Sequence, residues 1–421
     1  MQVDIAITGA GPAGLSLAAA LQGSGFSIAL IDRLPRAALA APPFDGREIA
    51  LRQSSIANLQ RLGIWDHLPA EDIAPLRTAR VLNGASPQAM VITPGRGHGD
   101  PMTQATLGAL VPNGEIRRAA FRVVEPLPAV TLVDRAAVSG LAFNPDRAVL
   151  TLDTGQVVRA RLAIAADSRF SETRRMAGIA ASMHNFGRSM MVCRMALEVD
   201  HESAAWEWFD HGQTLALLPL NGNVASAVLT LPHRDIAPLL GLDDTAFGFE
   251  MTRRFEGRLG TMRLASTRHA YPLIAVYAHR FVAPRFACVG DAAVGMHPVT
   301  AHGYNFGLGG AVALAEALVR ARNAGKDWSS PAVLHAWERT HRAATRPLYV
   351  ATNALARLYA DESRPARALR DLALQAGRRL PLVRRALAQA VSGPDSNPPW
   401  VSRMLGLPPA LMRTPRGPPI G

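Results

Sequence analysis

At 421 residues, with 48% hydrophobic and 19% charged residues, the chain is long enough for two or three domains and too apolar for global disorder. The net charge of +12 is almost wholly arginine, since Lys326 is the only lysine, and residues 361–421 alone hold ten Arg against four Asp or Glu. That basic stretch lacks the interleaved aromatics of a base-stacking platform, so it points away from nucleic acid and toward an acidic membrane surface or an acidic partner protein. Cys193 and Cys288 stand 95 residues apart without metal spacing, which excludes a disulfide framework. With no signal-peptide pattern and no long apolar run, the expectation is a cytoplasmic, non-spanning protein, with peripheral membrane contact through the basic C-terminal region.

In chain order, Val3 to Thr8 reads as a buried parallel strand, and the glycines after it turn the chain into a helix from about Pro12 to Gln22, closed by Gly23 and Gly25. Phe26 to Ile31 is a second strand finishing at Asp32, which completes a βαβ unit. Pro35 to Gly46 is expected as a loop, followed by a helix from Ser54 to Leu62. Residues 75–110 carry loop punctuation between short β-like runs such as Ala89 to Thr93. Strands are predicted at Ala129 to Asp134, Arg147 to Thr151, Gln156 to Arg159 and Arg161 to Ala166, the last ending at Asp167. From Arg188 to Leu231 the pattern becomes β-rich, with runs at Met190 to Leu197, Trp206 to Phe209, Thr214 to Pro219 and Ala225 to Leu231, which predicts an inserted, mostly antiparallel sheet. Arg285 to Gly290 returns to a buried strand, and a small-residue helix runs from about Tyr304 to Ala321. Residues 331–391 are helical with arginine on the polar face, and 393–421 is a proline-rich tail.

Gly9-x-Gly11-x-x-Gly14 follows a strand and opens a helix, the context in which this fingerprint binds a dinucleotide. Gly9 permits the tight turn, Gly11 lets a pyrophosphate approach the backbone, and Gly14 allows the helix to pack against the strand. The helix N-terminus supplies unpaired N–H groups for the phosphates. Asp32, eighteen residues past Gly14, is placed for the adenosine ribose. A second glycine segment, Gly290-Asp291-Ala292-Ala293, lies at a strand end where the carboxylate can hold ribityl hydroxyls, and the turn through Pro298 and Gly303 starts a helix aimed at a flavin ring. Together the two segments imply one long cofactor across both, FAD rather than NAD, although a tight crossover with a structural Asp291 remains the competing reading of the second.

These segments, with Asp45-Gly46-Arg47-Glu48-Ile49-Ala50-Leu51, Ile116-Arg117-Arg118-Ala119-Ala120, Ala165-Ala166-Asp167-Ser168 and Leu217-Leu218-Pro219-Leu220, make the chain resemble the single-component flavoprotein aromatic hydroxylases of the para-hydroxybenzoate hydroxylase type. More closely, it is similar to the ubiquinone-biosynthesis hydroxylases, including a 5-demethoxyubiquinol 5-hydroxylase subgroup. The resemblance implies an α/β fold: a Rossmann-like FAD-binding domain from residues 1–75, 111–180 and 281–330, a substrate domain from 76–110 and the β-sheet of 181–280, C-terminal helices over 331–392 and the tail 393–421. It implies an FAD-dependent monooxygenase that hydroxylates the ring of a polyprenylated phenol or quinol through a flavin C4a-hydroperoxide. Dioxygen is the cosubstrate, with electrons from NAD(P)H or a separate reductase, and partners in a ubiquinone-biosynthesis complex are expected.

Carried over to this chain, Arg47 matches an arginine reaching the cofactor phosphates, and Arg117 or Arg118 one near the adenosine. Asp167 matches an acid associated with FAD and the nicotinamide donor, Asp291 the ribityl-binding acid, and Pro298 the loop beside the isoalloxazine. Arg33, Gly290, Gly303 and Asn305 complete the expected cofactor contacts. His302 as a proton relay and Tyr304 as a phenol contact are the catalytic candidates, against the plainer readings of a backbone-satisfied helix leader and a packing residue. Ser168 replaces the usual Gly of an Asp-Gly pair, which puts the positive φ and the reductant contact in question. Val294, Ala301 and His302 depart from the common pattern beside the flavin, and substrate range is expected to be set there. Trp206, Trp208 and Phe209 read either as prenyl-pocket lining or as sheet core, and Met190, Met191 and Met195 as core. Rival readings are a flavin-dependent reductase or halogenase, or a nucleotide-binding assembly protein without turnover.

Overall fold

The strand Gln2–Thr8 lies inside a parallel sheet between Val157–Ala165 and Ile28–Ile31, with Val130–Val133 and Phe286–Cys288 beyond them. The computed structural model describes residues 1–84, 89–94, 106–210, 212–298 and 302–360. Strands covered on both faces carry no polar alternation, which is why Ile5, Ala6 and Ile7 are all fully buried. One face is covered by the helix Pro12–Ala20, itself packed on the long helix Gly303–Asn323. A Cβ at Gly14 would lie 1.9 Å from the Gly9 carbonyl oxygen, so this helix sits against its strand only with glycine there.

Two local expectations change. The strands predicted at Gln156 to Arg159 and Arg161 to Ala166 are one, Val157–Ala165, in which exposed Arg159 and half-buried Arg161 are the solvent-side positions of a continuous ladder. The stretch Pro35 to Gly46, expected as a loop, holds the short helix Arg36–Ala40.

The second sheet runs in the spatial order Val294–Gly295, His269–Ala278, Ala181–Leu197, Val224–Pro232, Gln213–Pro219, Ala204–Asp210, Thr78–Asn83, Met90–Ile92. Neighbours along it are antiparallel except Ala204–Asp210 with Thr78–Asn83, which draws the strands Thr78–Asn83 and Met90–Ile92 onto the sheet whose other strands come from residues after 180. Its period-two pattern separates two faces. Trp206, Trp208, Leu215, Leu217 and Leu229 enter a core closed by Phe247, Met251 and Phe255. The helices that cover this face, His233–Leu240 and Asp244–Arg254, escaped the sequence reading; Asp243 caps the second by accepting from the Ala246 amide. Trp208 is fully buried, its indole N–H donates to the Gly84 carbonyl at 2.9 Å, and the Arg258 guanidinium lies 4.2 Å from its ring centroid. Trp206 and Trp208 are therefore sheet core, as are Met191 and Met195.

A small third sheet, Glu48–Arg52, Gly108–Pro112 and Ala74–Leu76, bridges the other two. Beyond Gly303–Asn323 the helix Pro331–Ala360 follows; the rest of the expected helical region and the proline-rich tail lie outside the described residues. Both cysteines are buried free thiols, and burial pushes Cys193 up to about 12. No described helix is long and apolar enough to cross a membrane.

Candidate active site

Because Gln2–Thr8, Ile28–Ile31, Val157–Ala165 and Phe286–Cys288 run parallel, their C-terminal ends open at one edge, where an open α/β sheet binds its ligand. The residues after them, Gly9, Asp32, Asp167 and Asp291, all line one cavity of about 650 Å³ whose opposite wall is the second sheet.

At the fingerprint end, Gly9 holds φ 101°, and a Cβ there would strike the Ala166 carbonyl oxygen at 2.5 Å. Gly11 lines the cavity, and a Cβ on it would meet no atom within 4 Å. The helix that starts at Pro12 has no acidic residue in its first turn and no side-chain cap, so its positive end faces the cavity uncompensated. Asp32 accepts from the Ala10 amide at 2.7 Å and the Leu34 amide at 2.8 Å, which fixes its carboxylate at the rim. Arg33 also lines the rim, largely exposed, with Glu172 at 3.9 Å.

Two cations face this end. Arg47 is held by Asp45 at 2.6 Å and lies 5.5 Å from the Tyr271 ring centroid, while Tyr271 donates to the Asp45 carbonyl at 2.7 Å. Burial works against the charge on Arg47, but the Asp45 carboxylate outweighs it and raises the guanidinium above its ordinary value. Arg117 lines the cavity without an ion pair among the described residues; burial lowers it, with Asp45 and Asp32 pulling the other way. Arg118 pairs with Glu115 on its own helix at 2.8 Å, so of the two only Arg117 reaches the site.

At the far end, Asp291 follows Gly290, whose φ is 58° and whose Cβ, if it had one, would lie 2.6 Å from that of Ala13. The two glycine segments thus touch. The Asp291 carboxylate pairs with Arg169 at 3.0 Å, and Arg169 also donates to the Ile274 carbonyl at 3.0 Å. The sequence reading passed over Arg169, two residues beyond Asp167; a basic residue directly after the Asp-Ser pair was the available signal. Met296, His297 and Pro298 line the cavity here, and burial lowers His297 to about 4, so its imidazole is neutral at pH 7.

A glycine-lined trough with a helix N-terminus and two arginines toward the fingerprint end, and a carboxylate at each end, fits a dinucleotide with two sugar-like portions. The space over Gly11 is open toward the cavity. A family model described as the FAD binding domain matches residues 2–346. The chain belongs to that family. Ubiquinone hydroxylase UbiM of Neisseria meningitidis is 42% identical over 93% of this chain and 84% of its own. Ubiquinone hydroxylase UbiL of Rhodospirillum rubrum is 36% identical over 95% of this chain and 92% of its own. Among solved structures, p-nitrophenol 4-monooxygenase PnpA of Pseudomonas putida superposes with a TM-score of 0.73 over 93% of this chain and 99% of its own, at 18% identity. That last likeness is one of fold: an α/β FAD-binding core carrying a large antiparallel sheet.

Within this family fold, several expected residues take other places. Asn305 is fully buried and does not line the cavity; its amide donates to the Ala50 carbonyl at 2.9 Å and accepts from the Arg52 amide at 3.1 Å, mooring the strand Glu48–Arg52. Asp167 lines the cavity but spends both oxygens on the next helix, accepting from Ser171 and from the Thr173 amide and hydroxyl at 3.2 and 3.0 Å. His302 is buried against Phe306, their rings 5.7 Å apart, and Val294 is core; neither lines the cavity, and Ala301 lies outside the described residues. The expectation that substrate range is set at Val294 and His302 thus finds no support in the described lining of the cavity. Tyr304 and Gly303 do line the cavity, and burial pushes the Tyr304 hydroxyl well above its ordinary range. Ser168 keeps a positive φ of 121° despite its side chain, so the backbone course that glycine would give survives at the expense of strain.

The wall facing the glycines comes from the second sheet: Met190, Val192, Glu207, Phe209, Thr214 and Val228 among others. Phe209 is thus separated from Trp206 and Trp208 by the strand's period, and Met190 from Met191. The wall is apolar apart from the hydroxyls of Thr214, Ser226 and Thr230, the Glu207 carboxyl and the Arg188 guanidinium. No group of three or more metal-type ligands occurs among the described residues.

Proposed function

We propose that this protein hydroxylates the ring of a polyprenylated phenol or quinol in ubiquinone biosynthesis, with FAD spanning Gly9 to Asp291 and the ring held against the wall of the second sheet. The observation that carries this reading is the continuity of the cavity, glycine-lined and cationic at one end and apolar along the strands Ala204–Asp210, Gln213–Pro219 and Val224–Pro232. Bound FAD supplies reducing equivalents taken from NAD(P)H or a separate reductase, and it activates dioxygen. The chain's own part is to bind and to exclude water. Gly11 and the helix start at Pro12 receive the pyrophosphate with Arg47 and Arg117, Asp32 takes the adenosine ribose, and Asp291, oriented by Arg169, takes the ribityl hydroxyls. His297, neutral beside Pro298, adds no charge where the ring must sit. A lysine-based halogenation is disfavoured because Lys326 is exposed in the turn after Gly303–Asn323, away from the cavity.

The basic segment 361–421 suits contact with an anionic membrane surface, where a prenylated substrate resides, and such docking leaves room for partners of the same pathway. Two measurements test the central reading. Purified protein should be yellow or become so on adding FAD. Reduced holoenzyme given dioxygen and a short-tailed demethoxy-quinol should yield a product heavier by one oxygen. Peroxide without oxygenated product would overturn the hydroxylase reading, and a protein that takes up no flavin would overturn the cofactor assignment.

A further inference from the structure

Five acids line the cavity, and four of them are partnered. Asp32 accepts two backbone amides, Glu48 pairs with Arg194 at 2.8 Å, Asp167 holds Ser171 and Thr173, and Asp291 pairs with Arg169. Glu207 makes no hydrogen bond or ion pair among the described residues. It stands on the strand Ala204–Asp210, paired with Ala216 on one side and Val81 on the other, so both neighbouring rungs are apolar. Behind Val81 lies a small hydrophobic cluster of Leu76, Met90, Ile92 and Leu107. Its strand neighbours Trp206 and Trp208 point to the opposite face.

A carboxyl in this position has no structural task. Its side chain is half-buried and borders the cavity; nothing in the described fold uses its donor or its acceptor, and a polar group drawn partly out of water without a partner costs stability. Such a group persists where a ligand completes it. We propose that Glu207 is the polar anchor of the aromatic substrate, its protonated carboxyl donating a hydrogen bond to an oxygen on the ring while its carbonyl oxygen accepts from a ring hydroxyl. The assignment rests on the hydroxylase reading above and names the wall residue that orients the ring.

The electrostatics support a neutral acid. Burial alone raises Glu207 to about 8, with no charged neighbour contributing, so it is largely protonated at pH 7. The charged groups nearest in the wall are engaged elsewhere: Arg188 donates to the Gly212 carbonyl at 2.8 Å, and Glu48 and Arg194 hold each other. Ala216 and Val81, from the strands packed on either side, carry no charge. A protonated acid can recognise a neutral phenol or quinol without the desolvation cost of an ion, whereas an ionised one would lose its donor.

The test uses the full chain loaded with FAD and a monoprenylated phenol as probe, with binding read from the perturbation of the flavin absorbance. Glu207→Leu should bind the phenol about tenfold or more weakly, the loss of one good hydrogen bond. Its FAD occupancy should stay at the wild-type level. Glu207→Gln, which keeps a donor and an acceptor, should stay within about threefold of wild type. Wild-type affinity should fall as pH rises from 7 to 9.5, and Glu207→Gln should show no such fall. A merely structural role would alter stability and leave both the affinity and its pH dependence unmoved. Equal binding by wild type and Glu207→Leu overturns the assignment of Glu207 alone; a wild-type holoenzyme that binds no phenol overturns the hydroxylase reading together with it. Should Glu207→Leu fail to fold, the pH comparison between wild type and Glu207→Gln still decides.

Discussion

The two sides of the cavity are made in opposite ways. The fingerprint side is built from backbone: Gly9, Gly11, Gly14 and Gly290 are there because a Cβ would fill space or strike a close neighbour, and most of the polar side chains are pinned by amides or opposite charges. The sheet side is built from side chains on a regular ladder, where any residue fits the backbone and identity is free to follow the ligand. One side constrains sequence through geometry, the other through chemistry.

Substitutions should separate the two. The largest effect is expected behind the sheet wall, on its core face: Trp208→Ala removes a fully buried indole and should cost about 4 kcal/mol of stability in denaturant titration. Its folded fraction should keep wild-type FAD affinity. Gly14→Val should cost about 3 kcal/mol and abolish flavin binding, because its Cβ would lie 1.9 Å from a carbonyl oxygen that cannot move away. Gly11→Ala, with open space around its Cβ, should change stability by no more than about 0.5 kcal/mol while weakening FAD about tenfold, and equal losses in both would erase the distinction between packing and cradle.

Glu207 supplies a pH signature for the other side. Its folded value, about 8, lies above the 4.5 of an ordinary glutamate, so between these limits the unfolded chain releases a proton that the folded one keeps. Stability of the flavin-free protein should therefore fall as pH rises from 4.5 to about 8 and level off above, and Glu207→Gln should flatten that slope in thermal melts across the range. A modest gain is expected at Ser168→Gly, where release of a φ of 121° should add about 1 kcal/mol with FAD affinity unchanged.

Legibility in the sequence follows the same division. That Gly9, Gly11, Asp32 and Gly290-Asp291 meet at one cleft could be read directly because backbone-built turns leave few choices of residue, and the strands before them are largely apolar. The wall could not be read as a site. Trp206 to Phe209 were seen as one aromatic group, and only the observed register sends Trp206 and Trp208 to the core and Glu207 and Phe209 to the cavity. Asn305 was read as a cofactor contact because it sits in the right segment, yet its amide turns toward the strand Glu48–Arg52, and no local pattern records that direction. Arg169 was missed because its partner, Asp291, lies 122 residues away. The helices His233–Leu240 and Asp244–Arg254 were missed because the first contains Pro238 and the second Gly248, both poor helix residues that the core they cover overrides.

The Asn305 amide bears on how the protein is made. It joins Arg52 across 253 positions, so the strand that follows Arg47, already paired with Gly108–Pro112, gains its final fastening only from the last third of the polypeptide. A chain still on the ribosome can complete the fingerprint turn early, yet it has neither this fastening nor Asp291 until most of its length has emerged. Flavin capture is accordingly expected late in biosynthesis, and nascent chains halted before residue 290 should carry the fingerprint and hold no FAD.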